Sequence, residues 1–116
     1  MIFEKHGELV PESVLMEISR NYRISAHALA RMKERGVFAN EIRQLFQKPF
    51  MAYYNTDGTI NIAEDETHYF VISKKNKYGK YTIITYKEPS IFEKCVSYKR
   101  CLALQGKERR EHKENG

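Results

Sequence analysis

His27, Arg31 and Arg35, set at four-residue steps, are the side chains in this sequence best suited to do chemistry. Residues four apart on a helix stack on one face, so this segment would carry one imidazole and two guanidiniums as a single ridge. Like charges at that spacing destabilise an isolated helix by about 0.2–0.5 kcal/mol, a cost that an anion between them would remove. Farther along, Thr85 and Tyr86 end a strand-like stretch and Lys87 follows them. An imidazole, two guanidiniums, a hydroxyl and a phenol, without metal ligands, suit one reaction well. In it an RNA 2′-hydroxyl attacks its neighbouring phosphate and leaves a 2′,3′-cyclic phosphate. His27 would act as general base or acid, since imidazoles exchange protons near neutral pH. The arginines would hold the phosphate by forked hydrogen bonds, which lysine cannot form as well. Thr85 would contact a non-bridging oxygen, and Tyr86 would position the phosphate or protonate the leaving oxygen. Lys33, Lys87 and Tyr54 are the remaining candidate substrate contacts. The plain alternative is that the arginines are solvated helix formers and that Thr85 and Tyr86 are simply good strand residues.

The elements that would position these groups can be read from periodicity. Ser25 is a natural N-cap and Gly36 suits the left-handed position past the last turn, so a short helix lies between them. Its apolar stripe is Ala28, Leu29, Met32 and Gly36. An earlier helix runs from about 11 to 22, begun by Pro11 and carrying Val14, Leu15, Ile18 and Tyr22. A third spans about 40–47, with Phe38, Ile42, Leu45 and Phe46 as its apolar face and Pro49 as its stop. The period then becomes extended. Strands are expected at 50–55, 59–63, 68–73 and 81–87, divided by turns at Asp57-Gly58, at Asp65-Glu66 and over 74–79. In the last strand Tyr81, Ile83 and Thr85 would share one side, and Thr82, Ile84 and Tyr86 the other. Beyond Pro89, Ser90 would cap a fourth helix bearing Ile91, Phe92, Cys95, Val96, Leu102 and Leu104, ended by Gly106. The opening residues 1–9 are mixed and would be loosely held. The expected fold is α+β: N-terminal helices, a four-stranded antiparallel meander, a C-terminal helix and a disordered basic tail.

With 116 residues the chain suits one domain, 1–106, followed by a charged flexible tail at 107–116 without an apolar residue. No apolar run is long enough to span a membrane, and the N-terminus lacks the apolar core of a secretory signal. Cys95 and Cys101, six apart on a helix, would point away from each other, which suits a reducing, cytoplasmic setting. Histidines at 6, 27, 68 and 112 show no zinc spacing, so neither a metal nor another cofactor is expected. The net charge of +5 is unevenly spread. Residues 49–73 hold four acidic groups and no basic one, whereas 74–116 hold twelve basic and five acidic groups. Basic groups also exceed acidic ones over 25–48, a footprint suited to a phosphate-rich partner.

The run His27-Ala-Leu-Ala-Arg31-Met-Lys-Glu-Arg35-Gly-Val, a short helix ending in Lys48-Pro49, Tyr53-Tyr54, a hairpin, and Ile83-Ile-Thr85-Tyr86 together resemble the small BECR-fold proteins. That group gathers barnase, EndoU, colicin D and RelE-like nucleases, and the nearest pattern is that of phage-borne or polymorphic-toxin domains. The resemblance covers about residues 24–88. It implies a helical N-terminal part, a four-stranded antiparallel sheet and, in many members, metal-independent ribonuclease activity. The family's helix His and Arg would fall on His27 and on Arg31 or Arg35, and its strand Thr/Ser and Tyr on Thr85 and Tyr86. The expected partner is RNA, tRNA above all, with an immunity or antitoxin protein for a toxin of this kind. The competing expectation is a non-catalytic module on the same fold, binding nucleic acid or protein (a phage-encoded inhibitor, for example), since fold alone does not decide catalysis.

Overall fold

A computed structural model describes residues 2–88 and 96–114, and side chains within 2–88 and 97–106. The chain runs α1 (Glu12–Arg20), β1 (Tyr22–Ile24), α2 (Ala26–Glu34), a 3-10 turn (Ala39–Glu41), α3 (Ile42–Gln47), β2 (Met51–Tyr54), β3 (Ile60–Ala63), β4 (Tyr69–Ile72), β5 (Tyr81–Lys87) and α4 (Val96–Glu114). The strands form one sheet in the order β1-β5-β4-β3-β2. Strands β2 to β5 are the expected antiparallel meander. The fifth strand, β1, was not expected: it pairs in parallel with β5, Tyr22 beside Tyr81 and Ile24 beside Ile83. It lies in the link between two helices, where three residues are too few to show a period. Tyr22, expected to end the first helix, belongs instead to this strand, because α1 stops at Arg20.

One face of the sheet is covered by α1, α2 and α3. Leu15, Ile18, Ala28, Met32, Ile42 and Phe46 close there on Ile60, Ile62, Phe70, Ile72, Ile83 and Tyr86. Phe38, expected on the apolar face of the third helix, is 63% exposed instead, because the chain enters α3 through the 3-10 turn. On the other face Tyr98 and Cys101 of α4 pack with Tyr53, Ala63 and Tyr69. Of the expected fourth helix, Ser90, Ile91, Phe92, Cys95 and the side chain of Val96 lie outside the described residues. That helix does not end at Gly106 but continues to Glu114, through residues expected to form a disordered tail. One interior glycine costs a helix about 1 kcal/mol relative to alanine, and the residues after it are strong helix formers.

The simple alternation expected for β5 is broken by a bulge. Ile72 pairs with Ile83, but Val71 pairs with Thr85, so Ile84 is an extra residue on this strand. A bulge shifts the phase of everything after it. Tyr86 therefore joins Ile83 on the helix-covered face, and Thr85 moves to the opposite one. The opening residues are not loose either. Phe3 N donates to Thr56 O, Gly7 N to Tyr54 O and Val10 N to Ala52 O, while Glu8 O accepts from Tyr54 N. Leu9 adds a bridge to Tyr53. Gly7 has φ +83°, and a Cβ on it would come within 2.6 Å of the Arg100 side chain on α4.

Candidate active site

The ridge is positioned by Ser25. Its hydroxyl accepts from Ala28 N at 3.0 Å, capping α2, and donates to Ile84 O at 2.9 Å. Ser25 N also donates to Ile83 O. One residue thus starts the helix and ties that start to the bulge in β5. Ala28 and Met32 are fully buried and Leu29 is half-buried. Arg35 ends the helix, Gly36 takes the left-handed conformation expected of it (φ +73°), and Val37 N closes on Met32 O. With its apolar stripe set against the sheet, α2 holds His27, Arg31 and Arg35 along one wall of a cleft. The cleft has a volume of about 330 Å³ and is lined by these three with His68, Thr85, Tyr86, Lys87 and Glu88.

His27, Arg31, Arg35, Thr85, Tyr86 and Lys87 are therefore brought together, and two of the other candidates are not. Lys33 is exposed away from the cleft, since a residue two positions from Arg31 lies on another side of the helix. Tyr54 ends β2, which β3 and β4 separate from β5, and its ring packs on Phe3, 5.5 Å between centroids.

Tyr86 also differs from its expected role as a proton donor. Its hydroxyl donates to Glu64 Oε1 at 2.6 Å. Burial, then this bond and the Glu64 charge, push the phenol far above its ordinary pKa. A phenol so held is a poor acid for a leaving group but a firm wall: it stacks on His68 (centroids 5.4 Å, 18° between planes) and meets Phe70 at a tilt, 4.5 Å between centroids.

His68 is the principal group that the sequence reading missed. Asp65 Oδ1 accepts from Thr67 N at 2.7 Å, from the Thr67 hydroxyl at 2.5 Å and from His68 N at 2.9 Å. Burial alone would raise the Asp65 carboxyl, but these hydrogen bonds, with His68 nearby, hold it below its usual value. The Thr67 hydroxyl lies 2.8 Å from His68 Nδ1, and Arg35 Nη1 lies 3.0 Å from His68 Nε2. Arg35 also pairs with Glu88, and Arg31 with Glu34 at 3.5 Å. Only the strand register brings it to the cleft: Phe70 lies beside Tyr86 and Tyr69 beside Lys87, so a residue just before β4 neighbours the end of β5.

Glu64, Asp65 and His68 each offer a ligand atom within 4.8 Å of the others. Glu64 Oε1 accepts from Tyr86, Asp65 Oδ1 accepts from Thr67, and His68 Nε2 faces Arg35. Asp65, Thr67 and His68 form a carboxylate–hydroxyl–imidazole chain. No protein-family profile, curated protein or solved structure matches the chain. Among the described residues no helix is long and apolar enough to cross a membrane.

Proposed function

We propose that this chain is a metal-independent endoribonuclease of the toxin type, cleaving tRNA or another structured RNA in the cytoplasm by 2′-hydroxyl attack to a 2′,3′-cyclic phosphate. The supporting observation is one cleft holding two imidazoles, two guanidiniums and a lysine, which is what a phosphodiester needs for charge neutralisation and proton transfer. In this reading Arg31 and Arg35 take the non-bridging oxygens and His27 moves a proton. Thr85 and Lys87 line the cleft at the end of β5, but the bulge turns the Thr85 side chain to the opposite face, so it is assigned no oxygen. Tyr86 braces the site. The sequence resemblance to BECR-fold nucleases points the same way, and an immunity or antitoxin protein would be the partner that such a toxin requires.

Purified protein incubated with total tRNA in EDTA is expected to leave cyclic-phosphate ends, and His27→Ala should reduce the rate about 10²–10⁴-fold, the range for a lost acid–base group. Binding of tRNA without cleavage by the unaltered chain would overturn the enzymatic reading and leave a binding module.

A further inference from the structure

We propose that His68 is the general base of this cleft and His27 its general acid, an assignment that rests on the ribonuclease reading above. The chain behind His68 fixes its tautomer. A carboxylate only accepts, so the Thr67 hydroxyl gives its single proton to Asp65 Oδ1, 2.5 Å away. Towards His68 Nδ1, 2.8 Å off, the same oxygen can then only accept, so Nδ1 carries the hydrogen. On the other side Arg35 Nη1 stands 3.0 Å from Nε2. A guanidinium has no acceptor, so Nε2 meets it with a lone pair. His68 thus turns the lone pair of Nε2 toward the arginine ridge.

The ring is held in that orientation. Tyr86 stacks on it, and Asp65 accepts from its backbone N–H as well as from Thr67. The charged and titratable groups around it are Asp65 and Glu64 from its own loop, Arg35 with its partner Glu88, and Tyr86 and Lys87 from β5. Nε2 has a single lone pair, so Arg35 must turn from it to a phosphate oxygen before the neighbouring 2′-hydroxyl can donate to the base. His27 lies two helical turns from Arg35, about 12 Å along the axis of α2, with Arg31 between. In-line displacement requires base and acid on opposite sides of phosphorus, and the ridge supplies that order. With Tyr86 committed to Glu64, the cleft's second imidazole, His27, is assigned the proton of the leaving oxygen, since an imidazolium is a better acid near neutral pH than the Lys87 ammonium.

Nε2 takes the 2′-hydroxyl proton as that oxygen bonds to phosphorus. The bond from phosphorus to the 5′-oxygen breaks, and that oxygen takes the proton of His27. The products are a 2′,3′-cyclic phosphate and a 5′-hydroxyl, with His68 protonated and His27 neutral until water exchanges the protons back.

The test is the pH–rate profile of tRNA cleavage in EDTA for the unaltered chain, His68→Ala and His27→Ala, with thermal melting to establish folding. The unaltered chain should give a bell, its acidic limb from the base and its basic limb from the acid. His68→Ala should lose about 10²–10⁴-fold in kcat together with the acidic limb, and added imidazole should restore part of the rate. His27→Ala should lose the basic limb. A folded His68→Ala that keeps both limbs and the rate would overturn the base assignment while the ribonuclease reading stands. An unaltered chain that cuts nothing would remove both. Independently of activity, ring carbon and nitrogen chemical shifts should report the Nδ1–H tautomer at His68, and the Nε2–H form would overturn the assignment.

Discussion

Arg31 and Arg35 stand one turn apart on the same helix and keep different company. Arg35 touches His68 and pairs with Glu88, whereas Arg31 has an exposed pair with Glu34, a type of contact contributing about 0–1 kcal/mol. On the proposed reading Arg31 serves the cleft rather than the fold. Arg31→Lys should cut the cleavage rate more than tenfold and leave the melting temperature unchanged, because charge survives but the fork does not. Parallel loss of rate and melting temperature would mark Arg31 as a packing residue. At this scale the ridge was readable because i,i+4 spacing is local. His68 was not: its partner Arg35 is 33 residues away, and no short-range pattern links an imidazole to a guanidinium that distant. Thr85 and Tyr86 do line the cleft, but their faces were not legible, because a bulge leaves no mark in a run of β-branched and aromatic residues.

At the scale of the element, Ser25 decides where the ridge sits. It caps α2 and donates to Ile84 O, so the helix start and the strand bulge are a single joint. Ser25→Ala should lower stability by about 0.5–2 kcal/mol, the usual loss of an N-cap, and should lower cleavage beyond what the unfolded fraction explains. Ser25→Thr, which keeps the oxygen, should recover most of both. Unchanged melting in Ser25→Ala would mean that the joint is not holding the helix. Both ends of α2 and the last strand were legible because caps and alternation are local chemistry. Strand β1 was not, since its pairing depends on a partner from the far end of the sheet, nor was the passage of α4 through Gly106.

At the scale of the whole molecule, the excess of basic residues is tempered at the cleft, where Glu88 lines the wall and Glu64 and Asp65 stand behind it. A phosphate bound there would compete with Glu88 for Arg35. The sheet margins are also managed. On one side β1 is only three residues long. On the other the opening residues lie along β2 through hydrogen bonds from Gly7 and Val10. Removal of residues 2–10 would bare the outer edge of β2, and exposed edges recruit other strands. Sedimentation should show larger species than the full chain gives, and an unchanged distribution would mean that the edge is protected by something else. Gly7 also lies where a side chain would strike Arg100 of α4. The head of the chain is at once the selvedge of the sheet and the seat of the last helix, so injury there would be felt as stickiness well before it was felt as lost chemistry.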